Sequence, residues 1–197
     1  MCENVIESQV FVISYYTLSK IKLVTVVSKF LIFVTFYNSL SFVQTVCETG
    51  FNVGHSTLIW LLANPNVKVY SFDLNRNKCT EPMADYLKKR FPDRLTITFG
   101  DSTKTLPLFR HENPDVKCDM SIADGGHTVP VASSDLEHFY QMSNKLNIAF
   151  YDNHPDKYEI GASWELLKRR GMLTEYFRCQ YRNNRMHGFT FGQYITS

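Results

Sequence analysis

Neither sign of charge dominates this chain of 197 residues: 21 lysines and arginines stand against 19 aspartates and glutamates, a formal net charge of +2. So small an excess gives no sign of a nucleic-acid partner, whose phosphates are held by massed Lys and Arg. The two basic clusters, Lys88-Lys89-Arg90 and Lys168-Arg169-Arg170, fall near the ends of expected helices, where cations favour the dipole, and read as solvated helix ends. Paired cysteines are missing as well. Cys2, Cys47, Cys79, Cys118 and Cys179 are odd in number and scattered, without a Cys-x-x-Cys, which argues against a disulfide framework or a zinc site and fits reduced thiols inside a cell. The chain has no repeats, low-complexity tracts or interdomain linker, so its length and 44% hydrophobic content indicate one domain with a real core. A secretory signal is not expected: the start is acidic where such a signal is basic, and no clear small-residue cleavage site follows.

From Val10 to Val46 the chain is rich in Val, Ile, Phe and Tyr, with Lys20, Lys22 and Lys29 the only charges. The uncharged run from Phe30 to Cys47 is about the minimum for a membrane span, yet its last residues are needed as the first strand of the domain. Packing against the domain, a membrane-associated hairpin or anchor, and a poorly folded extension all remain open, with packing the expectation. The division is residues 1–42 as a hydrophobic extension and 43–197 as the domain. A cytoplasmic protein is expected, with membrane contact through residues 10–42 as the alternative.

What is present concentrates in Glu48-Thr49-Gly50-Phe51-Asn52-Val53-Gly54-His55-Ser56, which an apolar run enters and a helical pattern leaves. Gly50 and Gly54 permit a tight turn and a close ligand approach, and the N–H groups of the following helix point at a bound anion. Glu48 argues against a pyrophosphate on that loop and suits a ligand carrying an ammonium or hydroxyls. The Gly-x-Gly-x-x-Gly spacing of a dinucleotide loop is absent.

Strands are expected at 42–47, 67–72, 95–99, 118–123 and 147–151, with helices at 56–63, 79–91, 104–109, 129–142 and 160–170 between and after them. Two β-rich runs, 175–181 and 188–194, turn at Asn183-Asn184. This alternation predicts an α/β, Rossmann-like open sheet, mainly parallel, with an antiparallel C-terminal hairpin. Asp73, Asp101, Asp124 and Asp152 each follow an expected strand, and the carboxyl ends of such strands face the ligand crevice. Any one of them alone reads as a helix cap or turn residue. The series, joined to the glycine loop, reads as a ligand site.

Glu-x-Gly-x-x-x-Gly-x-Ser after the first strand, Phe72-Asp73-Leu74-Asn75 after the second, Gly100-Asp101-Ser102 after the third and Asp124-Gly125-Gly126-His127 after the fourth resemble the class I S-adenosylmethionine-dependent methyltransferases. The similarity runs over 43–197 and implies their seven-stranded fold. The first loop's spacing and Asp152-Asn153 are similar to the metal-dependent O-methyltransferases of the catechol type and their bacterial sugar-modifying relatives. The resemblance implies that Asp73 accepts from the ribose hydroxyls, that Asp101 with Ser102 beside it takes the adenine amino group, and that Glu48, Gly50, Asn52, Gly54 and Ser56 hold the methionine end. Asp124 lies against the cofactor as well and, with Asp152 and Asn153, matches the family's metal ligands, oxygen donors suited to Mg²⁺. His127 stands where the catechol-type enzymes carry a lysine base, and imidazole chemistry can serve there; the plain alternative is a helix-start histidine. His154 is a spare candidate.

The implied activity is methylation of a hydroxyl on a small-molecule acceptor. Residues 1–42 lack a clean amphipathic period, and Pro155 to Gly161 offers no match to the acid that orients a second hydroxyl in catechol-type enzymes, so a catechol itself is not expected. Trp164, Phe177 and Tyr181 read as core rather than pocket. Two other readings stand beside this one: a dinucleotide-dependent oxidoreductase, and a non-catalytic or membrane-tethered protein of the same fold.

Overall fold

The computed structural model describes residues 42–153, 161–183 and 185–196, with backbone alone for 153, 180–183 and 185–187. Strands and helices alternate along it: β1 (Thr45–Thr49), α1 (His55–Ala63), β2 (Lys68–Asp73), α2 (Thr80–Arg90), β3 (Leu95–Phe99), α3 (Ser102–Glu112), β4 (Cys118–Ala123), α4 (Val129–Met142), β5 (Ser143–Asn153), α5 (Gly161–Arg169), β6 (Leu173–Asn183) and β7 (Arg185–Tyr194). The seven strands form one sheet in the order β3-β2-β1-β4-β5-β7-β6. Pairing is parallel from β3 to β5, and β7 runs antiparallel to both β5 and β6. The expected α/β sheet with its antiparallel C-terminal hairpin is the observed one.

The pleat sorts side chains to two faces. On β5, Ile148 and Phe150 join a core under α1 and α2 that includes Trp60, Leu61, Met83 and Leu87, while Ala149 and Tyr151 join the opposite core under α3, α4 and α5. Both faces are covered along β4, whose six residues are all buried, as a central strand of a parallel sheet requires. Phe42 packs on the α1–α2 core and Val43 is fully buried in it.

Three local expectations change. The third helix is longer than 104–109: Asp101 caps it, accepting from Thr103 N at 3.0 Å, and buried Leu106 and Phe109 anchor it despite Pro107 in its interior. The cysteines are not all reduced. Cys47 and Cys118 form a disulfide with Cα atoms 5.8 Å apart, and Cys79 is disulfide-bonded too, leaving Cys179 as the free thiol among the described residues. Spacing gave no hint of the Cys47–Cys118 pair because 71 residues separate two positions that neighbouring strands β1 and β4 bring together. Trp164 is core, as expected, stacked on Tyr151, whereas Phe177 is an exposed side chain on the edge strand β6. No helix among the described residues is long and apolar enough to cross a membrane.

Candidate active site

The carboxyl ends of four strands are tied to one another by backbone bonds. Gly50 N donates to Phe72 O at 2.9 Å, Gly100 N to Asp73 O at 2.8 Å, and Asp124 N to Thr49 O at 3.1 Å. Gly50 needs to be glycine twice over: its φ is +94°, and a Cβ there would lie 2.2 Å from the Asp124 carbonyl oxygen. The loops after β1 and β4 therefore meet backbone to backbone. Gly54, also left-handed, starts α1, whose first turn has no acid and no side-chain cap. Its free N–H groups suit an anion.

Glu48 and Ser56 do not point outward. Glu48 is 1% exposed, and its carboxylate accepts from Ser56 Oγ at 2.8 Å, from Ser71 Oγ at 3.0 Å and from Thr57 Oγ1. Burial raises its pKa and the three hydroxyls oppose that rise. The acid thus braces the loop and α1 from inside. Asp73 is half-buried; its Oδ2 accepts from Asn52 N at 2.8 Å and its Oδ1 from Asn75 N at 2.7 Å. Each oxygen keeps a second lone pair. The side chain of Asn52 accepts from Asn77 Nδ2 at 2.9 Å. Asp101 is exposed at the start of α3, where Thr103's hydroxyl and N–H hold its carboxyl below the usual range.

Across the cleft the register of β4 and β5 pairs Ala123 with Tyr151, which makes the next residues, Asp124 and Asp152, neighbours. His127 lies three residues beyond Asp124, just before α4. One ligand atom from each of Asp124, His127 and Asp152 lies within 4.8 Å of the others. Asp124 is exposed, His127 half-buried and Asp152 buried. The side chain of Asn153 and the whole of His154 lie outside the described residues.

One polar residue of this region went unread in the sequence. Asp135 is buried in the second turn of α4 and faces the hydroxyls of Ser102 and Thr49, with burial pushing its carboxyl up to about 6. Its signal is positional: an acid within the apolar face formed by Ala132, Leu136, Phe139 and Met142.

The model of a family described as a methyltransferase domain matches residues 47–154, more than half of the chain. No curated protein matches it in sequence. Solved structures share the fold at low identity. The O-methyltransferase TomG from Streptomyces achromogenes, involved in tomaymycin synthesis and solved with SAM, is 16% identical with a TM-score of 0.69, covering 86% of this chain and 80% of that one. An O-methyltransferase from Bacillus cereus solved with SAH is 15% identical with a TM-score of 0.66, covering 98% and 99%. An rRNA methylase from Streptococcus thermophilus reaches a TM-score of 0.63 at 12% identity, covering 83% and 94%. The fold alone therefore does not choose the methyl acceptor.

Proposed function

We infer that this chain, which belongs to the methyltransferase-domain family, binds S-adenosylmethionine over the ends of β1, β2 and β3 and delivers its methyl group to a hydroxyl of a small molecule held over β4 and β5. The observation that carries the reading is the convergence of Asp124, His127 and Asp152 beside the loop that Gly50 presses against Asp124. The O-methyltransferases of the same fold, solved with SAM and SAH, support it.

Asp73 has the two open lone pairs that a pair of ribose hydroxyls requires, and its bonds to Asn52 and Asn75 already fix its direction. Asp101 and Ser102 would meet the adenine amino group. The N–H groups at the start of α1 would receive the methionine carboxylate, with Glu48 holding Ser56 and Thr57 in place beneath them. The cofactor supplies a methyl on a sulfonium, open to in-line attack. The protein has to align an oxygen with it and remove that oxygen's proton.

A divalent cation fits the second cluster. Opposite ligands of Mg²⁺ stand about 4.2 Å apart, so a spread within 4.8 Å needs only a small contraction. Asp124 and Asp152, with Asn153, would hold it, and the ion would lower the pKa of a bound hydroxyl. His127 would take the proton as a neutral imidazole. The packing against the domain expected of residues 10–42 lies, but for Phe42, outside the described residues.

Labelled S-adenosylmethionine offered with a panel of hydroxyl compounds tests the reading. Methyl transfer should fall on chelation of divalent ions and in Asp152→Ala; activity indifferent to both removes Asp124, Asp152 and Asn153 from the mechanism.

A further inference from the structure

The apolar face of α4 carries one ionisable group, Asp135, 1% exposed, and the reaction outlined above does not use it. A carboxyl at that depth is costly unless its hydrogen bonds are complete, and a packing position would be better served by leucine. Those bonds are not complete, because Oδ1 has no hydrogen-bond partner among the described residues. Its surroundings explain its retention. Ser102, the first residue of α3, and Thr49, the last of β1, lie beside it, although Thr49 Oγ1 makes no hydrogen bond among the described residues. On a third side Oδ2 stands 3.4 Å from where a Cβ on Gly125 would be, and that same Cβ would meet Thr49 Cβ at 2.9 Å. The titratable groups whose charge it senses or influences are Asp101, Tyr151 and Tyr194.

Thr49 precedes the glycine loop, Ser102 adjoins Asp101, and Gly125 follows Asp124. A single buried carboxyl therefore sits behind three loops that line the cleft. We propose that Asp135 is a positioning residue which holds Ser102 and the 124–126 backbone against Thr49 and so sets the shape of the adenine end of the cofactor site. The inference rests on the S-adenosylmethionine reading for its ligand, but the loop geometry it asserts exists without one. Leucine at 135 would fill the space and remove the carboxyl behind all three loops; asparagine would keep one acceptor oxygen.

Hydrogen exchange on the ligand-free protein and calorimetry with S-adenosylmethionine decide it. In Asp135→Leu, amides of 102–103 and 125–126 should exchange about tenfold faster while α4 keeps its protection, the equivalent of one lost hydrogen bond. The Kd for S-adenosylmethionine should weaken by about the same factor, with the KM for the acceptor unchanged, and Asp135→Asn should recover most of it. Unchanged loop exchange, or faster exchange spread evenly over the domain, makes Asp135 a plain packing residue and overturns the proposal. If the wild type fails to bind S-adenosylmethionine, the functional reading fails and the exchange data still decide this one. Should Asp135→Leu not fold, Ser102→Ala takes its place: faster exchange at 125–126 supports the coupling, and unchanged exchange there refutes it.

Discussion

The two halves of the cleft use their acids in opposite ways. Over β1, β2 and β3 each acid is engaged by its own surroundings: Glu48 by three hydroxyls, Asp73 by two backbone N–H groups, Asp101 by Thr103. Over β4 and β5 two carboxylates and an imidazole converge instead. In the first half each acid is fixed by its own neighbours, whereas in the second three groups able to ligate a metal gather at one point. That contrast is why we assign cofactor binding to one side and chemistry to the other.

If the halves are separable, substitutions should divide cleanly between affinity and turnover. The largest effect is expected from Asp152→Ala, which should lower kcat by roughly 10³-fold while calorimetry finds the Kd for S-adenosylmethionine within about twofold of wild type. Asp73→Ala should do the reverse, weakening that Kd by about 100-fold through loss of charge-assisted hydrogen bonds and leaving kcat at saturation little changed. An Asp73 variant that loses kcat with an intact Kd would erase the distinction.

Asp135 sharpens the comparison from behind both halves. Its carboxyl ordinarily titrates at 3.8 and in the folded protein is raised to about 6, so folding takes up a proton between those values. Its stabilising contribution is complete below 3.8 and is lost as the pH rises through 6. Denaturant titrations should therefore show Asp135→Asn flatter across that window and more stable than wild type at neutral pH, by about 3 kcal/mol. A variant with the wild-type pH dependence would place the titration elsewhere. The smallest effect is expected at Asp101, whose replacement by alanine should weaken S-adenosylmethionine by about tenfold without touching acceptor KM.

Most of the architecture was legible because strand and helix periods alternate and an acid or glycine marks nearly every strand end. What escaped was mostly direction. Glu48 stands at the end of β1 as expected, but the pleat turns it with Val46 toward α1, and the register sets it opposite Ser71. A residue's place at a strand end does not tell which face it enters. The Cys47–Cys118 bond escaped for a related reason, since adjacency of β1 and β4 belongs to the sheet order and not to sequence spacing. Asp135 was visible as an acid among Ala132, Leu136, Phe139 and Met142, although only the fold shows that Ser102, Thr49 and Gly125 surround it.

Calorimetric titration of the wild type, Asp73→Ala and Asp152→Ala with S-adenosylmethionine and with NAD tests the division of the cleft most directly. The account predicts that S-adenosylmethionine alone binds, that Asp73→Ala weakens it severely, and that Asp152→Ala, altered across the cleft, retains it. Preference for NAD, or binding that Asp152→Ala abolishes and Asp73→Ala spares, would contradict it.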